Sequence, residues 1–67
     1  MTITDVAAEV ERIREMWHDN EKAHSAEDAL HRRVLHSIAD GLVVGDVRAV
    51  VREALRTLEI DFERWRA

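Results

Sequence analysis

Apolar residues recurring at alternating steps of three and four constrain this chain more than any other feature. Ile3, Val6, Val10, Ile13 and Trp17 keep that step. It sets them along one edge of an α-helix, the narrow seam through which helices pack on one another. Continued in register, the seam meets Asn20, His24, Glu27 and His31, then turns apolar again at Val34 and Ile38. Either one long helix carries a polar stretch or two helices are separated by a break.

Local signals favour the break. Ser25-Ala26-Glu27-Asp28 has the Ser/Thr-x-x-Asp/Glu pattern of a capped helix start, with Ser25 as N-cap, and the preceding "HDNEK" is polar. Thr4 or Asp5 can cap the first helix. Gly41 stands where a helix C-terminus wants a left-handed residue, and Asp46 can cap a third helix. In that third segment Val47, Val50, Val51, Ala54, Leu58, Phe62 and Trp65 form one apolar stripe, although the acid-rich "EIDFE" could hold a kink. The expectation is an all-α, antiparallel three-helix bundle over residues 1–67, with helices near 4–19, 26–40 and 46–65. The alternative is a long-helix hairpin that dimerises.

Composition narrows the function classes. A chain of 67 residues has room for one domain and a marginal core, and it has no cysteine to brace it with disulfides or thiolate-bound metal. The absence of proline, with only two glycines, suits helices. No apolar run exceeds three residues, so neither a transmembrane helix nor a signal-peptide core is expected. The default compartment is the cytoplasm. A net charge of −4 argues against non-specific nucleic-acid binding.

The segment "AHSAEDAL", Ala23 to Leu30, and the tail "IDFERW", Ile60 to Trp65, resemble small uncharacterised proteins of actinobacteria and their phages. Those proteins share an A-H-S-x-E-D-x-L segment and an I-D-F-x-R-W tail. The resemblance spans roughly residues 20 to 67 and implies a compact helical accessory protein. It supplies no catalytic residue.

Three residue groups are candidates for chemistry. Glu21-x-x-His24, with Glu27 and His31, has helical spacings used by carboxylate–histidine metal sites, but helices one and three offer no inward Glu or His to complete one. An ordinary reading is a Glu27–His31 pair at the rim of the core, beside Val34, Leu35 and Ile38. Arg48, Arg52 and Arg56 form a row that a phosphate backbone could use, yet Glu59 and Glu63 continue it. Trp17, His24, His31, Phe62 and Trp65 should converge at one pole of the bundle, as a capping cluster or an interface anchor. No phosphate loop is present, and Ser37 has no base–acid pair to activate it. The expected function is therefore a non-enzymatic interaction or accessory module, without cofactor. It should self-associate as a homodimer through the aromatic pole or the first-helix seam. The alternatives are a metal-binding helical oligomer and a small DNA-binding regulator.

Overall fold

The structure is a computed structural model and describes residues 1–64. Three helices pack in an up-down-up order: α1 (Ile3–Arg14), α2 (Asn20–Ala39) and α3 (Val47–Leu55). The all-α three-helix bundle read from the sequence is the fold, with boundaries that differ.

Helix α1 begins two to three residues earlier than Thr4 or Asp5 would allow as caps. Thr2 Oγ1 accepts from the Asp5 backbone amide at 3.2 Å, and the Asp5 carboxylate accepts from the Thr2 amide at 2.9 Å. Two free donors of the first turn are thereby satisfied reciprocally. The seam residues Val6, Val10 and Ile13 are fully buried, whereas Ile3 and Trp17 at its two ends are exposed.

The break between α1 and α2 falls at residues 15–19 rather than after them. Asp19 caps α2 by accepting from the Lys22 amide at 3.2 Å, and Ser25 lies inside the helix. The early start lets Ala23 join Glu27, Leu30 and Val34 in one buried row. His24 and His31 fall at its edge. The C-terminus of α2 closes as expected: Leu42 N donates to Ser37 O and Gly41 N to Ile38 O, with Gly41 at φ 69°. The connection that follows is tied to the other end of the chain, since Val44 N donates to Met1 O at 2.9 Å.

Helix α3 starts at its Asp46 cap, whose carboxylate accepts from Arg48 N at 2.9 Å, but it ends ten residues before the expected 65. A 3-10 turn, Arg56–Glu59, follows, and then irregular chain that begins with an extended Ile60. In that stretch Ile60 and Phe62 are buried while Asp61 and Glu63 face solvent. The alternation is a period of two, which a helix cannot place on one side. Trp65, the end of the expected stripe, lies outside the described residues. Among the described residues no helix is long and apolar enough to cross a membrane.

Candidate functional site

Two features meet along the α2–α3 boundary, and His31 belongs to both. The first is a polar clasp that fastens residues 60–64 onto α2. Glu27 is 3% exposed, and its two carboxylate oxygens accept from Arg64 Nε at 2.9 Å and Nη2 at 3.2 Å. The fork geometry is the one that suits a planar guanidinium to a carboxylate. Arg64 also donates to the carbonyls of Thr57, Ile60 and Phe62, the first at 2.6 Å. Its guanidinium carbon lies 3.8 Å from the Phe62 ring centre, a cation–π stack. One side chain thus satisfies the backbone of a segment that has left helical bonding.

His31 completes this network from α2. Its Nε2 lies 3.2 Å from Ala54 O and 3.0 Å from Thr57 Oγ1. A carbonyl oxygen only accepts, so Nε2 carries the proton and donates. The buried Thr57 hydroxyl in turn donates to Ala54 O at 3.2 Å. Burial alone would push the Glu27 carboxyl up. The hydrogen bonds and the charge of Arg64, with the Thr57 hydroxyl and His31 nearby, more than offset it and hold the group below its ordinary range.

The second feature is an apolar groove of about 230 Å³ between α2 and α3, lined by His31, Val34, Leu35, Val51, Ala54 and Leu55. Leu35, on the rim side of α2 with Val34 and Ile38, is 67% exposed, and Leu55 opposite it is 47% exposed. Val47 and Leu58 extend the same open edge, both largely exposed. The clasp meets this groove at His31, which lines it and bonds Ala54 O and Thr57 Oγ1.

The residues proposed as metal ligands are drawn to separate tasks. Glu21 is exposed, His24 Nε2 lies 3.5 Å from Asp28 Oδ2, Glu27 holds Arg64, and His31 holds Thr57. Among the described residues no group of three or more His, Asp or Glu could hold a metal ion. The aromatic pole is assembled only in part. Trp17 and Phe62 line one shallow depression with Asn20 and Glu63, and Glu63 N donates to Asn20 Oδ1 at 3.1 Å. His24 and His31 do not line it. Trp17 is 61% exposed and stacks edge-on against His18, so it is not core. Of the arginine row, Arg56 is paired with Glu53 at 3.0 Å, while Arg48 and Arg52 are exposed.

Sequence reasoning missed Arg64 and Thr57. A signal was present: a polar Thr57 on an apolar stripe, followed by the strict alternation Ile60-Asp61-Phe62-Glu63. The two segments that carried the family resemblance touch through this clasp, because Glu27 belongs to one and Arg64 to the other. Compared with known protein families, curated proteins and solved structures, the chain gives no match.

Proposed function

We propose that this protein is a small non-enzymatic interaction module, an accessory protein that works by docking rather than by chemistry, with the cytoplasm as its compartment. The observation that carries the reading is the α2–α3 groove, where two leucines stand in solvent on a rigid two-helix floor. Apolar side chains grouped at one place on a small monomer mark an interaction surface more often than a chance exposure. The best-organised polar groups, Glu27, His31, Thr57 and Arg64, support the same reading, since their bonds are spent on holding the fold.

The test is affinity capture with the native chain and with a Leu35→Glu/Leu55→Glu variant as baits, both checked for helicity. The expected result is that proteins held by the native chain are lost by the variant. Capture of the same set by both baits would overturn the groove as the working surface.

A further inference from the structure

We propose that the seat of residues 60–64 is a recognition site for a non-helical partner segment of the pattern aliphatic-x-aromatic-x-arginine, with the chain's own strap as its resident occupant. The proposal goes beyond the α2–α3 groove and does not depend on it.

The strap is laid onto a bundle that is already complete. The three helices pack on one another pairwise, and only Ile60 and Phe62 of the buried apolar core come from the strap. Its backbone bonds are local, Ile60 N to Thr57 O and Phe62 N to Ile60 O; among the described residues none joins it to α1, α2 or α3. His31 pins the preceding turn at Thr57. Beyond that pin the strap is held by two buried apolar residues two positions apart, by Glu63 N on Asn20 Oδ1, and by Arg64 on Glu27. Alternate side chains and a few polar anchors are also the terms in which protein surfaces read separate peptides.

The contacts of Arg64 divide into two sets. Its bonds to Ile60 O and Phe62 O, and its stack on the Phe62 ring, are internal to the five residues. Any segment of the same pattern carries them with it. The body of the bundle supplies the rest, the Glu27 carboxylate and Thr57 O. Without a guanidinium, Glu27 would be a buried charge with its partner removed, a costly state. The seat therefore demands a cation, and the fork across both oxygens selects arginine over lysine.

A tethered occupant competes at an effective concentration on the order of millimolar, so the native chain should hold a free segment only weakly. Fluorescence anisotropy of a labelled Ile-Asp-Phe-Glu-Arg-amide peptide, titrated with the full chain, tests this. Arg64→Ala weakens the resident and should bind the peptide at least tenfold more tightly than the native chain does, with its helical circular dichroism kept. Arg64→Lys keeps part of the clasp, guards against a folding defect, and should show a smaller gain. Adding Glu27→Gln to either variant should abolish the gain, as should alanine in place of the peptide's arginine. Equal binding by the native chain and both Arg64 variants overturns the proposal, as does an alanine peptide that binds as well. Leu35→Glu should leave peptide binding unchanged, so the groove reading, tested by capture, fails or stands separately.

Discussion

The closed and open sides of the α2–α3 boundary invert the usual partition of residues. On the closed side a buried carboxylate is met by a half-buried guanidinium; on the open side two leucines of the same helix pair stand in water. What separates the two is satisfaction rather than hydropathy. Glu27 can be buried because Arg64 meets both its oxygens, and Arg64 can approach the core because three carbonyls and a ring surround it. Among the described residues the leucines have no such internal partner. A side chain's position here follows from whether its neighbours complete it.

Breaking the closed side should have the largest effect. Arg64→Ala leaves the Glu27 charge buried and three carbonyls bare, which should cost about 3 kcal/mol. For a domain of this size that lowers Tm by roughly 15 °C, readable by circular dichroism. Arg64→Lys should recover only part, because an ammonium cannot fork across both oxygens. A loss below 1 kcal/mol for Arg64→Ala would mean that the clasp is ornamental to the fold.

Acid should loosen the same side by a smaller step. The folded Glu27 carboxyl lies below its ordinary range, so on acidification the unfolded chain takes up its proton first. Stability then rises with pH through that window and is lost as pH falls through the folded value. Urea melts at neutral pH and at about pH 3 should show a decline that is shallower in Glu27→Gln. Equal pH slopes in the two chains would assign the acid sensitivity to other carboxylates, Asp5 and Glu9 among them, whose values are also lowered.

The start of α2 gives a third comparison, between two residues that both look like caps. Asp19 accepts from a free amide, while Ser25 sits one turn and more inside the helix. Asp19→Ala should cost about 1 kcal/mol, and Ser25→Ala should be neutral or slightly stabilising. The reverse order would move the helix start to the position the sequence suggested.

These contrasts show where the sequence was legible. The buried seam of α1, the Gly41 terminus and the Asp46 cap could be read because each depends on residues close in the chain, whereas the Thr2 cap and the Arg14 end of α1 could not. The α2 boundary was harder because two valid caps compete, and tertiary burial of Ala23 decides between them. The end of α3 was illegible to helical periodicity, since the Arg64 bond to Glu27 spans 37 positions and no local rule reports it. The exposure of Leu35 depends on the neighbouring helix: spacing sets it beside Val34 on the rim, and α3 leaves that side open.

The open side should yield the smallest effect. Leu35→Ser removes a large apolar side chain, a change that in a core costs several kcal/mol through lost transfer energy and a cavity. Here the leucine is already mostly in water, and little burial is forfeited. The change should stay within about 0.5 kcal/mol. Urea melts of the two chains should therefore nearly superpose. Transitions that differ by more than about 1 kcal/mol would mean that Leu35 is packed within the bundle, and the two sides of the boundary would then differ only in polarity.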